Sequence, residues 1–263
     1  MACRVTRMNG DLIYDVGANN GNDTAYYLNR GFRVLAIEAN PRLAEVVRHR
    51  FADEVASRQL EVLNVGIAAE PGVFDFFVNE TNDEYSSFDR EMGMRGGRFH
   101  CIEVRCQTFE EILSQYGTPY YLKIDIERAD VHCIRALNPN DLPAYVSIEA
   151  HSLEYLIVLR ALGYRQFKVI DQATLNRPRA YRQENPFGRL ATLLNHYWCR
   201  FRVDTGWGQN PFPVASSGPF GEQTPGSWRS IDEVAYDWLH FHLQKRGRGT
   251  LNPRGWYDFH ARL

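Results

Sequence analysis

The sequence predicts a doubly wound α/β domain, in which helices cover both faces of a largely parallel sheet. Short apolar runs alternate with amphipathic segments through roughly residues 12–170, which is the pattern of consecutive β-α units. The first apolar run ends in a turn that contains Gly17 and Gly21, and the second ends in Glu38. Glycine turns and acidic residues at strand ends are typical of the ligand-binding edge of such sheets.

The individual elements follow from apolar periodicity and from residues that start or stop helices. Asn40-Pro41 supplies a cap and a first-turn proline, and Thr108 with Glu111 forms a capping box. We predict core strands at Leu12–Val16, Val34–Glu38, Leu60–Val65, Tyr120–Asp125, Tyr145–Glu149 and Arg165–Ile170, an extra arm at Gly72–Val78 and a polar loop at 80–100. Helices are predicted at Asp23–Arg30, after Pro41, and at Phe109–Tyr116, Ala129–Leu137 and Leu153–Leu162.

Residues 172–263 differ in composition, because they hold most of the twelve prolines and all five tryptophans. The stretch 206–226 is rich in Gly, Pro and Ser and is interpreted as a long loop, whereas Ile231–Gln244 has the pattern of a helix. The region is too aromatic for a disordered tail. We therefore predict a domain at residues 1–171 and an aromatic-rich, loop-rich extension at 172–263 that packs on it.

Composition and charge exclude several classes of protein. The 30 basic and 32 acidic residues give a net charge of −2, and without a basic stripe or a D/N-P-P-Y motif no nucleic-acid partner is expected. No apolar run approaches the ~18 residues of a membrane span, and no signal peptide is expected. Five scattered cysteines without a C-x-x-C predict reduced thiols and a cytoplasmic location, with no zinc site. The oligomeric state stays open.

Two strand ends carry residues suited to a nucleoside with a carboxylate. The turn Asp15-Val-Gly17-Ala-Asn19-Asn-Gly21 lets the backbone approach a ligand and directs helix N–H groups at it. It does not match a dinucleotide fingerprint, because Asn19 and Asn22 occupy the second and third glycine positions counted from Gly17, and a turn without a ligand is the alternative. Glu38 is placed to accept both hydroxyls of a ribose, unless it is simply solvated.

Two further strand ends add to this pattern. Asn64-Val65-Gly66 would form a wall for an adenine, or else an ordinary turn. Lys123, Asp125 and Glu127 alternate with two isoleucines, so strand geometry puts the three charges on one side. Charges at the end of a buried strand are costly without a partner or a function, and a structural ion pair is the alternative.

Together these motifs resemble the FkbM-type S-adenosylmethionine-dependent methyltransferases. The resemblance runs from about Leu12 to Gln172 and rests on YDVGANNG, VLAIEAN, Ser86-Ser87, TFEEIL, YLKIDIERAD and VSIEAH. The family usually reads K-I-D-V-E-G-A-E, whereas this chain has Arg128 in place of the glycine and Asp130 in place of the last glutamate. Arg128 therefore adds a bulky cation beside the site.

The resemblance implies a Rossmann-like class I methyltransferase sheet and S-adenosyl-L-methionine as cofactor. The Asp15–Gly21 turn, with Asn19, would hold its methionine half, Glu38 its ribose, and Asn64, Val65 and Gly66 its adenine. Asp125 would face the cofactor or the acceptor. We expect an acceptor to be bound by four residues, Ser86, Ser87, Lys123 and Glu127.

Methyl transfer to a hydroxyl also needs a general base. We expect it among Asp125, Glu127, Glu149 and His151, since the last two share a face at the end of the fifth strand and a carboxylate can orient an imidazole. The alternative for His151 is that it merely precedes the Ser152 cap and points to solvent. A divalent ion bound by Asp125, Glu127 and Glu149 is the alternative; otherwise no metal is expected.

The predicted function is O-methylation of a hydroxyl on a glycan or secondary metabolite, with a small-molecule or glycan acceptor. Residues 80–100 and 172–263 would supply the acceptor pocket. Methyl-ester formation on a small acid is the first alternative. The second, from another class, is a non-catalytic protein that binds a nucleoside ligand within a biosynthetic complex.

Overall fold

A computed structural model describes residues 9–172, 218–246 and 256–263. For residues 240–246 it describes the backbone but not the side chains. The chain divides into two compact units, Met1–Val146 and Ser147–Leu263. Most of the predicted extension, including Trp198, Trp207 and Cys199, lies outside the described residues, as does Cys3. The predicted division at residue 172 stays a prediction.

Four parallel strands form the sheet of the first unit, in the order β3-β2-β1-β7. They are β1 (Asn9–Val16), β2 (Arg33–Ile37), β3 (Leu60–Leu63) and β7 (Pro119–Ile124). Their apolar side chains are fully buried at residues such as Ile13, Leu35 and Leu122, because strands buried on both faces must be apolar on both faces. The predicted α/β fold class with a parallel sheet is confirmed.

Two helices of the first unit begin at the caps that the sequence predicts. Asn40 accepts a hydrogen bond from the Arg42 N–H through its side chain, and Thr108 and Glu111 form the reciprocal capping box. The helices are α1 (Asn22–Asn29), α2 (Pro41–Arg50), α3 (Ala52–Ala56), α4 (Arg90–Gly93), α5 (Phe109–Tyr116) and α6 (Asp130–Arg135).

A second, three-stranded sheet in the same unit replaces the single arm expected from the sequence. Its strands are β4 (Gly66–Ile67), β5 (Gly72–Asn79) and β6 (Phe99–Gln107), in the order β4-β6-β5. Phe76, Val78, Val104 and Cys106 form its small apolar core. β6 was not predicted, and it begins inside the segment interpreted as a loop.

The second unit contains three neighbouring strands, in the order β8-β10-β9. They are β8 (Tyr145–Glu149), which starts at the end of the first unit, β9 (Gln166–Asp171) and β10 (Tyr257–Arg262), and the helices are α7 (Leu153–Leu162) and α8 (Ile231–Arg246). β10 runs antiparallel to β9. The extension therefore contributes a strand that the sequence analysis did not predict.

The order of the parallel strands places a crevice at the end of β1. The chain leaves β1 towards β2 on one side, and later returns to pair β7 with the other side of β1. Ligands in open α/β sheets bind at such a reversal, beyond the carboxyl ends of the strands. In the part of the chain that the structure describes, no helix has the length and apolarity to cross a bilayer.

Candidate active site

The turn after β1 requires glycine at two positions. Gly17 has φ +82°, and a Cβ placed on it would lie 1.8 Å from the Asp125 carbonyl oxygen. Gly21 has φ +80°, and its Cβ would lie 2.7 Å from the ring of Phe51. Only glycine adopts such backbone angles without strain and leaves room for this approach. The turn therefore passes directly over the end of β7.

Backbone and side-chain hydrogen bonds fasten this turn to β2. The N–H groups of Gly17 and Ala18 both donate to the Ile37 carbonyl oxygen, at 2.9 and 3.1 Å. One oxygen of the Glu38 carboxylate accepts from the Asn19 N–H and the other from the Asn40 N–H, each at 2.8 Å. Glu38 thus joins the turn to the first residues of α2.

The Glu38 carboxyl is unusual in its electrostatics. The residue is 7% exposed, and this burial raises its pKa to about 7 against the opposing effect of the two backbone N–H groups. Each carboxylate oxygen has a second lone pair after accepting one N–H. A buried carboxylate of this kind can accept two hydroxyls of a ligand.

A cluster of buried charges lies beneath the turn. The Lys123 ammonium lies 3.2 Å from Asp15, 3.1 Å from Asp23 and 3.6 Å from Asp125, and it donates to the Gly17 carbonyl oxygen at 3.4 Å. Asp15 is fully buried and Lys123 is 3% exposed. The Lys123 ammonium offsets part of the carboxylate charge buried here, and the cluster supports the turn from below.

Burial and mutual attraction act against each other in this cluster. Burial alone would lower the Lys123 pKa, but Asp15, Asp23 and Asp125 together hold it well above its usual range. Burial raises the Asp15 pKa, while Lys123 opposes that rise. Thr24 also donates its hydroxyl to Asp15, at 2.6 Å. Asp23 and Thr24 are contributors that the sequence analysis missed.

The third strand end is tied to the second. The Asn64 side-chain amide donates to the carbonyl oxygens of Glu38 and Ala39, at 2.8 and 3.1 Å. Val65 is buried, and a Cβ on Gly66 would lie 2.3 Å from the ring of Phe88. Asn64 therefore ties the end of β3 to the backbone at the end of β2, and the adenine wall expected from these three residues stays a prediction.

The loop after β7 meets the segment between β5 and β6. The Ser87 hydroxyl donates to the Glu127 carbonyl oxygen at 2.9 Å, and the Ser86 hydroxyl accepts from the Asn79 N–H at 3.1 Å. Lys123 and Asp125 share one side, as alternation predicts. Glu127 lies beyond the strand, at φ +47°, so the alternation does not extend to it.

In the second unit, Glu149 and His151 form a close pair. The His151 Nε2 lies 2.9 Å from the Glu149 carboxylate, and the His151 N–H donates to the Glu149 carbonyl oxygen at 2.8 Å. Between them, Ala150 donates to the Tyr257 carbonyl oxygen and accepts from the Trp238 indole, at 2.7 and 2.9 Å. Trp238 and Tyr257 were not among the predicted site residues, because their elements lie far along the sequence.

Comparison with known proteins decides the family. The model of the methyltransferase FkbM domain matches residues 15–179, which is more than half of the chain. The chain belongs to the FkbM methyltransferase family. It is an S-adenosylmethionine-dependent methyltransferase, and the glycine turn and the buried Glu38 carboxylate at its strand ends fit S-adenosylmethionine, which carries a carboxylate and a ribose.

Solved structures with a similar fold include other methyltransferases. A precorrin-6y C5,15-methyltransferase from Geobacter metallireducens is 16% identical, with a TM-score of 0.37, over 63% of this chain and 68% of that one. An S-adenosylmethionine-dependent methyltransferase from Archaeoglobus fulgidus is 9% identical, with a TM-score of 0.43, over 98% and 88%. A phosphoethanolamine N-methyltransferase 2 from Haemonchus contortus, solved with S-adenosyl-L-methionine, is 10% identical, with a TM-score of 0.40, over 97% and 49%. A search of curated proteins finds no match.

Proposed function

We propose that this FkbM methyltransferase methylates a hydroxyl oxygen of a sugar, a glycan or a secondary metabolite. When bound, S-adenosylmethionine supplies an electrophilic methyl group, so that an O–C bond forms, the C–S bond breaks and the hydroxyl proton passes to a base. The protein's main task is to align the acceptor oxygen with the methyl group, since orientation supplies much of the rate enhancement in such displacements.

The observation that carries this proposal is the Gly17–Gly21 turn held by Glu38. The backbone of the turn, with Asn19, holds the methionine half of the cofactor, and the first N–H groups of α1 face its carboxylate. Asp15, which is fully buried beside Lys123, supports the turn from below. The close approach of Gly17 to Asp125 supports this role, because any side chain on Gly17 would collide with the Asp125 carbonyl oxygen and displace the turn.

The nucleoside half is assigned to the next two strand ends. Glu38 accepts the ribose hydroxyls, and Asn64, Val65 and Gly66 flank the adenine. The hydrogen bonds from Asn64 to the Glu38 and Ala39 carbonyl oxygens support this assignment, because they hold the two strand ends together. Asp125, whose side chain is 28% exposed, faces the cofactor.

On the acceptor side we retain three of the four residues expected from the sequence. Ser86, Ser87 and Glu127 lie where the segment before β6 meets the loop after β7. Lys123 is reassigned from the acceptor to the cofactor turn, since its ammonium is buried among Asp15, Asp23 and Asp125. The acceptor is a small molecule or a glycan, and most of residues 172–263, which the sequence analysis expects to contribute to its pocket, lie outside the described residues.

We assign proton removal to His151. Hydrogen bonding of Nε2 to the Glu149 carboxylate favours the tautomer in which Nδ1 is the basic nitrogen and stabilises the imidazolium once it forms. No metal is required in this scheme. Activity retained in EDTA is the expected result, whereas a requirement for Mg²⁺ would favour an ion held by Asp125, Glu127 and Glu149.

The cytoplasm is the proposed location. Cys101, Cys106 and Cys133 are free thiols in the described part of the chain, and thiols stay reduced in that compartment. Burial raises the pKa of the Cys106 thiol to about 11, so this thiol is unreactive at neutral pH.

Transfer of a labelled methyl group to a panel of acceptors tests the proposed chemistry. Hydroxylated sugars and metabolites are compared with carboxylic acids, and the products are treated with mild alkali. The proposal predicts an alkali-stable methyl ether. An alkali-labile product formed only from acids would show carboxyl methylation, and binding of S-adenosylmethionine without turnover of any acceptor would favour the non-catalytic ligand-binding role.

A further inference from the structure

Residues 80–98, which connect β5 to β6 and are here called the strap, are ordered by one buried side chain. Asn79, at the end of β5, is fully buried. The side-chain oxygen of Asn79 accepts from the N–H groups of Thr81 and Asn82, both at 2.9 Å. Its side-chain NH2 group donates to the backbone carbonyl oxygens of Gly93 and Arg95. The strap therefore has a defined shape before anything binds to it.

One end of the strap is fastened beside the end of β2. Arg42 donates through Nη2 to both carboxylate oxygens of Asp83, at 2.9 and 3.0 Å. Arg42 is the second residue of α2, and its N–H is capped by Asn40, which in turn donates to Glu38. This ion pair links the strap to the proposed ribose site.

A second point, near the middle of the strap, is fastened to the loop that follows β7. Arg128 donates through Nη1 to Asp89 at 3.0 Å, and the Ser87 hydroxyl donates to the Glu127 carbonyl oxygen at 2.9 Å. Asp89 also caps α4 by accepting from the Met92 N–H. That N–H has the largest effect on the Asp89 pKa and, with help from Arg128, holds it below its usual range against the opposing effect of burial.

The backbone at this second fastening is strained. Glu127 and Arg128 have φ +47° and +77°, and the Ile126 and Arg128 N–H groups both donate to the buried Asp130 carboxylate. Glycine would adopt the Arg128 conformation without strain. Backbone strain that persists at a binding edge indicates that the side chain responsible for it has a function. Here that side chain is Arg128, and its contact is with Asp89.

Together the fastenings span the end of β1. β2 and β7 pair with β1 on opposite sides, so the strap is held on both sides of the Gly17–Gly21 turn. We infer that Arg42 and Arg128 are positioning residues, whose ion pairs hold the strap across the cofactor site and set the rate at which the cofactor leaves. This inference rests on the cofactor site proposed above.

The exposure of both pairs suits a fastening that opens in every catalytic cycle. The side chains of Arg42 and Asp83 are 64% and 40% exposed, and those of Arg128 and Asp89 are 52% and 33% exposed. Exposed ion pairs are individually weak and are screened by salt. The two ion pairs therefore slow release of the cofactor without preventing it.

Dissociation of S-adenosylhomocysteine from the immobilised protein tests the inference. Arg128→Gly and Arg42→Ala are each expected to accelerate dissociation about threefold to tenfold at low salt, and the wild-type rate should approach theirs in high salt. Arg128→Lys should restore part of the difference. Arg58→Gly is the matched control, because Arg58 is also an exposed arginine, at φ +61°, and lies outside the strap.

Hydrogen exchange separates failure of this inference from failure of the proposed function. In the free protein, Arg128→Gly should accelerate exchange of the Asp89 and Met92 amides, whereas Arg58→Gly should not. Unchanged dissociation and unchanged exchange would overturn the inference while leaving the cofactor site in place. Absence of S-adenosylhomocysteine binding in the wild type would overturn the proposed site and, with it, the role given to Arg128.

Discussion

Gly17 and Asp125 approach each other so closely that no side chain fits between them. A Cβ on Gly17 would lie 1.8 Å from the carbonyl oxygen of Asp125, the residue that follows β7 more than a hundred positions later in the chain. The Asp125 N–H also donates to the Val16 carbonyl oxygen at 3.0 Å. The ends of β1 and β7 therefore form one rigid edge, on which the proposed cofactor site depends.

Gly17→Ala should both destabilise the first unit and abolish cofactor binding, because a methyl group there meets backbone that cannot move aside. We expect a loss of about 3 kcal/mol or more in the free energy of unfolding, measured by urea titration. Gly31→Ala is the control, since Gly31 has φ +83° but open space around its Cβ, and left-handed strain alone costs about 1–2 kcal/mol. Equal losses in the two variants would show that the contact with Asp125 is unimportant.

Lys123→Met should be among the most destabilising single substitutions in the first unit. It removes the cation that faces Asp15 and Asp23 and leaves two carboxylates buried together, which costs about 3–5 kcal/mol. Adding Asp15→Asn should recover part of that loss, because it removes one of the two carboxylate charges that Lys123 no longer compensates. Chemical denaturation of the single and double variants measures both effects, and strictly additive losses would contradict the coupling.

The raised pKa of Glu38 predicts opposite pH dependences for stability and for cofactor affinity. Because burial raises the folded-state pKa from 4.5 to about 7, the folded protein favours the protonated carboxyl, and its contribution is fully present below about pH 4.5. Stability should fall, on the order of 3 kcal/mol in all, as the pH rises from 4.5 through 7. Glu38→Gln should flatten that part of the stability curve.

Cofactor affinity should change in the other direction over the same range. The ribose hydroxyls are donors, and the ionised carboxylate accepts them best, so affinity should rise towards pH 7 and level off above it. Calorimetry in two buffers of different ionisation enthalpy would show proton release on binding below pH 7. A pH-independent affinity would rule out the ionised Glu38 as the ribose acceptor.

His151→Asn should lower kcat by about 10²- to 10⁴-fold, the usual contribution of a general base, while leaving S-adenosylmethionine affinity unchanged. The acidic limb of the pH–rate profile should disappear with it. Glu149→Gln should give a smaller loss, because it alters the orientation of the imidazole without removing it. His49→Asn, on the exposed side of α2, is the control, and a wild-type pH profile in His151→Asn would move the base to Asp125.

The parallel sheet and the glycine turn could be predicted because the information is local. Apolar runs, the Asn40 cap and the Thr108 capping box each lie within a few residues of the feature they specify. β6 and β10 were missed although FHCIEVRCQ and YDFHAR are compatible with strands, because β6 follows a polar loop and β10 follows a long segment rich in glycine and proline. Pairing of β10 with β9 depends on contacts between residues about ninety positions apart, from Tyr257 with Asp171 to Arg262 with Gln166.

The sequence indicated which strand ends carry the candidate site residues, but not the buried contacts that those residues make. Alternation put Lys123 and Asp125 on one side, yet only the fold shows that Asp23 and Thr24 approach from α1 and bury the ammonium. The position of Glu38 at a strand end followed from the sequence, whereas its two backbone hydrogen bonds and raised pKa depend on how the turn packs. Arg128 was noted as a departure from the family pattern, but its contact with Asp89 depends on the conformation of the strap.

Calorimetric titration with S-adenosylmethionine and S-adenosylhomocysteine tests the central claim most directly. The wild type and Glu45→Gln, an exposed position on α2, should bind both ligands with similar micromolar affinity. Glu38→Gln should weaken binding at least tenfold, about 1.4 kcal/mol, while thermal unfolding shows that it remains folded. Absence of binding in the wild type, or equal affinity in a folded Glu38→Gln protein, would contradict the site proposed at the ends of β1 and β2.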